Sequence, residues 1–247
     1  MEDQLIKFKL YSEEYVNKEA INHNFILRMM YGCSYPFSYI FYKLKLSPNL
    51  LTWLSIALCA IACYGLLIQS IETFIVAWSL SVLFDFCDGT VARMTNNIRK
   101  NLLRFDHYSD LCKFSAVILF LAIYYESLYF WILSFLCSSM YLFYTILDHD
   151  VVLQLIKKVS PDIKNENKSS RLRDNIKVIK LITDNDLLFN LLKGMMPIFI
   201  INGHTLLIFI FMPLSINFAY FALVYLIILT FIGINLRLSM LRSSLKR

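Results

Sequence analysis

Four aspartates lie where long apolar segments of this chain end or begin. Asp85 and Asp88 fall at the end of one such segment, and Asp106 and Asp110 fall at the start of the next. An ionised aspartate near a bilayer centre costs about 2.5–3.5 kcal/mol on insertion scales, so such residues usually face a bundle interior or a wet cavity beside positive charge. We therefore expect a fold that gathers the four carboxylates at the wet edge of an apolar bundle.

The composition is that of a membrane protein. Of the 247 residues, 58% are hydrophobic and 17% are charged, whereas soluble domains contain about 45–50% apolar and about 25% charged residues. The first 48 residues lack the short apolar core of a secretory signal. A net charge of +6 would favour nucleic acid as the partner of a soluble protein, but in a membrane protein basic residues collect on cytoplasmic loops. We predict an all-α polytopic protein of the lipid bilayer that binds no nucleic acid.

Apolar segments and the turns between them predict six transmembrane helices. The first four spans are expected at about 50–68, 74–88, 105–125 and 128–147. A polar loop at about 148–186 follows, which is too long for a simple connector. Residues 187–236 are apolar over a length that suits two more spans. We prefer the turn between these two spans at Asn202-Gly203-His204 to one at Pro213–Asn217.

Basic residues predict the orientation of the spans. The expected outer turns contain no lysine or arginine, namely residues 69–73, 126–127 and 202–217. Because cytoplasmic loops carry an excess of both residues, we expect both termini and the loop at 148–186 to be cytoplasmic.

The N-terminal segment, residues 1–48, is expected to precede a membrane domain of residues 49–247. Its apolar side chains recur at helical spacing between Ile21 and Cys33, among basic residues. This pattern is typical of an amphipathic helix in the membrane interface. A helix that docks on the bundle would show the same pattern, and in either case we expect it on the cytoplasmic side.

The aspartates fall on one face of each of two predicted helices. The first face is shared by residues spaced i, i+3, i+4 and i+7: Asp85, Asp88, Gly89 and Ala92. Two carboxylates beside two small residues indicate a cation site next to a shallow surface on which a ligand could dock. Asp106 and Asp110 share the second face, and like charges at that distance need a cation between them. All-oxygen ligands suit Mg²⁺, Mn²⁺ or Ca²⁺, and two such ions could clamp a diphosphate.

Spacing alone leaves two other interpretations open. The acids could line an ion pathway through the membrane. They could also form an interfacial charge network with the basic residues nearby, namely Arg93, Arg99, Lys100, Arg104 and Lys113.

The stretch from Asp85 to Asp110 resembles the signature of the CDP-alcohol phosphatidyltransferase family, D-x2-D-G-x2-A-R-x8-G-x3-D-x3-D. Seven of the eight fixed positions are matched, by Asp85, Asp88, Gly89, Ala92, Arg93, Asp106 and Asp110. The second glycine is replaced by Leu102, which could narrow the nucleotide pocket, favour another donor or mark an inactive relative. The upstream run from Ser47 to Thr52 also resembles the start of the family's first span.

The resemblance implies a homodimeric membrane transferase that binds a CDP-alcohol donor at the cytoplasmic surface. The hydroxyl of an acceptor alcohol attacks the β-phosphorus, and CMP leaves. The resemblance also implies two Mg²⁺ or Mn²⁺ ions on Asp85, Asp88, Asp106 and Asp110, with Asp110 as the general base. The residues implied in nucleotide binding are Asn49, Thr52, Asp85, Gly89, Ala92 and Arg93.

Two basic residues are candidates for binding the acceptor, Lys113 and Arg104. Lys113 lies three residues after Asp110 and one turn deeper on the same face, where a lysine is costly unless it is paired. It could contact an anionic group of the acceptor, or it could pair with one of the aspartates.

Overall fold

The computed structural model describes residues 10, 14–15, 25–96, 105–147 and 204–245, and it contains no strand within these ranges. The helices are α1 (Phe25–Lys43), α2 (Pro48–Leu67), α3 (Ile71–Met94), α4 (Phe105–Tyr125), α5 (Leu128–Ile146), α6 (His204–Phe211) and α7 (Ile216–Leu245). A 3-10 turn, Met212–Leu214, separates α6 from α7. The all-α prediction is confirmed for the part of the chain that the structure describes.

Five of the described helices are long and apolar enough to cross a membrane. Their spanning segments are Pro48–Leu67, Ile71–Met94, Tyr108–Tyr125, Leu128–Ile146 and Ile216–Asn235. The first four correspond to the first four predicted spans, and together the five indicate an integral membrane protein. Residues 148–203 lie outside the described ranges, so the sixth span, the long loop and the cytoplasmic placement of both termini stay predictions.

The turn before the last span does not lie at the preferred position. His204 begins α6, whereas the break in the helix falls at Met212–Leu214 and at Ser215, which is extended. Pro213 explains the break, because proline cannot donate a backbone hydrogen bond and disfavours helix in the residue before it. The structure therefore shows a turn at the second candidate position, whereas Asn202 and Gly203 of the preferred position lie outside the described residues.

Serine caps and left-handed residues set the helix boundaries. The side chains of Ser47, Ser70 and Ser127 accept hydrogen bonds from the first turns of α2, α3 and α5, as N-cap serines do. The residue that reverses the chain after each of α1 to α4 has a positive φ: Lys45, Gln69, Asn96 and Glu126. The links between α2 and α3 and between α4 and α5 are short, so each pair is antiparallel.

Helix α3 is central to the described bundle, since it packs against α1, α2 and α6. Helix α2 also packs against α4, and α5 packs against α4 and α7. The aromatic core lies between these elements: Phe209 of α6 has ring-centroid distances of 5.6 Å to Trp78 and 5.2 Å to Phe114. Phe209 thus joins α3 to α4 within this core.

The predicted N-terminal amphipathic helix corresponds to α1, which docks on α3. Its buried face includes Leu27, Met30 and Ser34, whereas Met29 and Cys33, predicted on the apolar face, are exposed. The buried face is therefore rotated from the one that the sequence pattern indicates. Its location in the membrane interface stays a prediction.

Gly65 lies where α2 comes closest to the start of α3. A Cβ on Gly65 would lie 2.8 Å from the backbone nitrogen of Phe74. We expect Gly65→Ala to destabilise the protein by about 1–3 kcal/mol, because the backbone of α3 has to shift. The measurement is the thermal unfolding temperature of the detergent-solubilised protein.

Gly32→Ala in α1 is the matched control. Nothing lies within 4 Å of a Cβ on Gly32, and alanine favours a helix over glycine by up to about 1 kcal/mol. Equal unfolding temperatures for the two variants would contradict the close packing of α2 on α3.

Candidate active site

The first turns of α2, the last turns of α3 and the first turns of α4 meet at one end of the bundle. Helices α2 and α3 are antiparallel neighbours, which brings Thr52 of α2 beside Asp88 of α3. Lys113 of α4 reaches the same place. Residues far apart in the sequence thus form one polar cluster inside an apolar bundle.

Lys113 lies at the centre of this cluster. Its Nζ lies 2.5 Å from Oδ1 of Asp85 and 2.9 Å from Oδ1 of Asp110. It also donates a hydrogen bond of 3.0 Å to Oγ of Ser55. The side chain of Lys113 is only 7% exposed, compared with 20% for Asp85 and 45% for Asp110. Of the two contacts expected for Lys113, the structure shows the ion pair, and a contact to an acceptor stays a prediction.

Ser55, the third partner of Lys113, is held in place by Ser81. The hydroxyl of Ser55 donates to the backbone oxygen of Ser81 over 2.9 Å, and that of Ser81 donates to the backbone oxygen of Ser55 over 2.7 Å. These reciprocal bonds join α2 to α3 at one register. Removing one partner of a buried charge pair costs about 3–5 kcal/mol, so Lys113 is a stabilising link between α2, α3 and α4.

Asp88 is held by Thr52 of α2. Oγ1 of Thr52 donates to Oδ2 of Asp88 over 2.6 Å, and both residues are buried. Asn49, the other residue of α2 predicted to bind nucleotide, is exposed in the first turn of α2. The structure thus places Thr52 behind Asp88 and leaves Asn49 open to the surface.

Arg93 ties the end of α3 to the N-terminal segment. Its Nε donates to the backbone oxygen of Tyr15, and its guanidinium lies 5.7 Å from the centre of the Tyr31 ring. These contacts anchor the end of α3, and the implied role of Arg93 in nucleotide binding stays a prediction. Gly89 and Ala92, on the turns before it, are half-buried.

Other predicted site residues are only partly covered by the described ranges. Leu102 and Arg104 lie outside them, and of Asp106 only the backbone, in α4, is described. The structure brings together Asp85, Asp110 and Lys113, with Asp88 on the next turn of α3.

Sequence reasoning missed Ser55 and Ser81. The sequence contains a signal for both serines, because helical spacing places each on the same face as a predicted site residue. Ser55 lies three residues after Thr52, and Ser81 lies four residues before Asp85. A small polar residue on the same helix face as a functional one, inside a membrane span, favours a contact between helices. The contact of Tyr15 with Arg93 has no comparable signal, since it joins residues 78 positions apart.

The donor chemistry of the cluster suits a hard divalent cation, because carboxylate oxygens are the ligands that Mg²⁺ and Mn²⁺ prefer. Within the described ranges, however, no three aspartates, glutamates, histidines or cysteines are grouped so that they could hold a metal ion. One oxygen of Asp85 and one of Asp110 are instead shared by the ammonium of Lys113. The carboxylates fit a divalent cation by their chemistry, and which of them would hold it stays a prediction.

Thr52→Val tests the support of Asp88. We expect this variant to be destabilised by about 1–3 kcal/mol, because Asp88 loses a buried hydrogen-bond donor. Thr52→Ser keeps the hydroxyl and should unfold close to the wild-type temperature. If both variants shift the unfolding temperature equally, the hydroxyl is not what supports Asp88.

Comparison with known families classifies the segment of the chain that contains the cluster. Residues 45–162 match the sequence model of the CDP-alcohol phosphatidyltransferase family, a range that contains α2 to α5. Neither a curated protein nor a solved structure matches the chain. The family transfers phosphatidyl or phosphoalcohol groups, and the resemblance of the signature is confirmed. Residues 45–162 of the chain thus match a CDP-alcohol phosphatidyltransferase domain.

Proposed function

We propose that this protein transfers a substituted phosphate group from a CDP-alcohol to the hydroxyl of an acceptor alcohol, with release of CMP and dependence on Mg²⁺ or Mn²⁺. The family match supports the class of reaction. The observation that carries the proposal is the grouping of Asp85, Asp88 and Asp110 at one end of an otherwise apolar bundle. Phosphoryl transfer needs positioned groups and charge neutralisation more than a covalent nucleophile, and such a cluster can supply both.

Asp110 is proposed as the general base. Its side chain is 45% exposed, which leaves it accessible to an acceptor, and Lys113 orients it. In the proposed step, the acceptor oxygen forms a bond to the β-phosphorus as its proton passes to Asp110. The bond from the β-phosphorus to the bridging oxygen breaks, and that oxygen leaves with CMP.

Asp85, Asp88 and Asp106, together with Asp110, are proposed to hold two divalent cations. When bound, the cations would neutralise the diphosphate and polarise it for displacement. The proposed floor of the cytidine site is Gly89 and Ala92, which present almost no side chain.

The rim of the nucleotide site is proposed to come from α2 and from the end of α3. Asn49 is exposed in the first turn of α2, where it can reach a bound nucleotide. Thr52 and Arg93 act through the contacts that hold Asp88 and the end of α3. The acceptor is proposed to meet Arg104 at the rim, with Lys113 behind Asp110.

The proposal also covers the membrane face at which the reaction occurs, its donor, its product and the oligomeric state. The active site is placed at the cytoplasmic face, because the predicted outer turns lack basic residues. The donor is a CDP-diacyl lipid or a soluble CDP-alcohol, and the product belongs to phospholipid or related glycoconjugate biosynthesis. The family resemblance supports a homodimer.

A second candidate is a relative that has lost or altered its activity. Leu102, in place of the second signature glycine, favours this alternative. A carboxylate-lined ion-binding or transport protein is a third, and it would show metal-dependent flux without CMP release.

Asp110→Asn tests the proposed base. Purified protein in nanodiscs is mixed with Mg²⁺ or Mn²⁺ and a panel of CDP-alcohols and acceptor alcohols, and CMP is quantified by mass spectrometry. We expect the variant to release CMP at least about 100-fold more slowly than the wild type, because proton transfer by a positioned group contributes about that much or more. Binding of CDP should persist.

Glu72→Gln is the control for Asp110→Asn. Glu72 is exposed in the first turn of α3, at the opposite end of the helix, so its neutralisation should leave CMP release unchanged. Full activity of Asp110→Asn would show that another group is the base.

Leu102→Gly tests whether the unusual residue narrows the nucleotide pocket. We expect CDP to bind several-fold more tightly to this variant than to the wild type, since a bulky side chain is removed. Leu103→Gly makes the same change where the signature has no glycine, and its CDP affinity should not rise. Unchanged affinity in Leu102→Gly, together with no CMP release by the wild type, would favour the inactive relative.

A further inference from the structure

The guanidinium of Arg93 packs directly on Gly89, which is proposed as part of the cytidine floor. A Cβ on Gly89 would lie 3.5 Å from Nη2 and 3.6 Å from Nη1 of Arg93. Arg93 lies one turn after Gly89 on α3, and long side chains on a helix point back toward its N-terminus. The guanidinium therefore fills the space that a side chain at position 89 would take, at the edge of the proposed nucleotide site.

The N-terminal segment holds this guanidinium in place. Nε of Arg93 donates a hydrogen bond to the backbone oxygen of Tyr15, and Cζ lies 5.7 Å from the centre of the Tyr31 ring. A longer contact within α3 runs from Nη2 to Oγ1 of Thr90, over 3.5 Å. An arginine side chain gives up rotamer freedom when it binds a ligand, so a guanidinium that is already held has less to lose.

Tyr15 and Tyr31 are themselves held by a small apolar cluster. Leu10 is fully buried and Tyr35 is nearly so, and Tyr15, Tyr31 and Met94 pack against these two residues. Because Met94 belongs to α3, the cluster joins the N-terminal segment to the last turn of that helix. Burial of these side chains thus determines the position of the backbone oxygen that accepts from the guanidinium.

A guanidinium held at this point favours an anionic ligand beside Gly89. Arginine stays charged, and its planar fork can donate to two phosphate oxygens at once. The proposed donor carries a diphosphate next to its cytidine, so Gly89 and Arg93 lie where neighbouring parts of one ligand would bind. A group that is already ordered needs less ordering on binding, which raises the affinity.

We propose that the N-terminal segment is a positioning element of the nucleotide site. Tyr31 and the backbone of Tyr15 hold the guanidinium of Arg93 over Gly89, and docking of Leu10 keeps Tyr15 in place. Docking of the segment and binding of the nucleotide then favour each other, because the coupling between two binding equilibria is reciprocal. The proposal rests on the nucleotide site proposed above. It makes Leu10 and Tyr31 positioning residues, which act through Arg93.

Variants of Tyr31 test the ring contact with Arg93. The affinity for CDP is measured on full-length protein in nanodiscs with saturating Mn²⁺. We expect Tyr31→Leu to bind CDP about 3- to 10-fold more weakly than the wild type, because a cation–π contact contributes a factor of about that size. Tyr31→Phe keeps the ring and should bind CDP like the wild type.

Variants of Leu10 test the docking of the N-terminal segment. Leu10→Asn places an amide in an apolar site, which favours undocking, and it should weaken CDP binding by a similar factor. Leu10→Met is the matched control, because it keeps an apolar side chain of similar volume, and its affinity for CDP should not change.

Hydrogen–deuterium exchange of the wild type measures the reciprocal effect. We expect CDP to slow exchange in a peptide that contains Leu10 and Tyr15. A peptide across the link between α4 and α5, at the opposite end of the bundle, is the control and should exchange equally with and without CDP. A segment that only supported the fold would not respond to the nucleotide.

Wild-type affinity for CDP in both Tyr31→Leu and Leu10→Asn would overturn the proposal, as would exchange of the N-terminal peptide that CDP does not slow. Tighter binding by either variant would also overturn it, because Arg93 would then obstruct the floor. Where a variant does not fold, exchange in the wild type decides.

CMP release is measured on the same samples to separate this proposal from the proposed function. CMP release by the wild type, with no effect of the N-terminal variants on CDP affinity, overturns the positioning role and keeps the transfer. CDP binding that depends on Tyr31 and Leu10, without CMP release from any donor and acceptor, supports the positioning role and counts against the transfer. No binding of CDP by the wild type counts against both.

Discussion

The described site depends on the buried ammonium of Lys113. A charged group inside an apolar bundle is tolerated only when it is paired, and Lys113 pairs with one carboxylate of α3 and one of its own helix. Because Ser55 of α2 accepts a further hydrogen bond, one side chain holds three helices together. Without it, the like charges of Asp85 and Asp110 would repel each other between α3 and α4.

The helices position these groups more rigidly than loops would. The short link between α2 and α3 brings the start of one helix beside the end of the other, and the paired hydrogen bonds of Ser55 and Ser81 fix their register. At the end of α3, Arg93 contacts Tyr15 and Tyr31. Functional groups held by such supporting contacts need little rearrangement to bind substrate.

Local sequence patterns predict the parts of this arrangement that depend on a single helix. The spans around α2 to α5 follow from apolar length, and the shared face of Asp85 and Asp88 follows from helical spacing. The partner of Lys113 depends instead on how α4 is rotated against α3, so the sequence left an acceptor and an aspartate equally open. The turn before α7 was also ambiguous, because two segments contain turn-forming residues, and Pro213 lies in the one where the helix breaks.

Metal-dependent binding of CDP tests most directly whether the carboxylates of α3 and α4 form one nucleotide site. Wild-type protein in nanodiscs is equilibrated with CDP in the presence of Mn²⁺, after chelation, and after Mn²⁺ is restored, and bound CDP is quantified. We predict saturable binding that is lost on chelation and recovered with Mn²⁺. Binding that chelation does not change, or no binding under any of the three conditions, would contradict a metal-dependent nucleotide site.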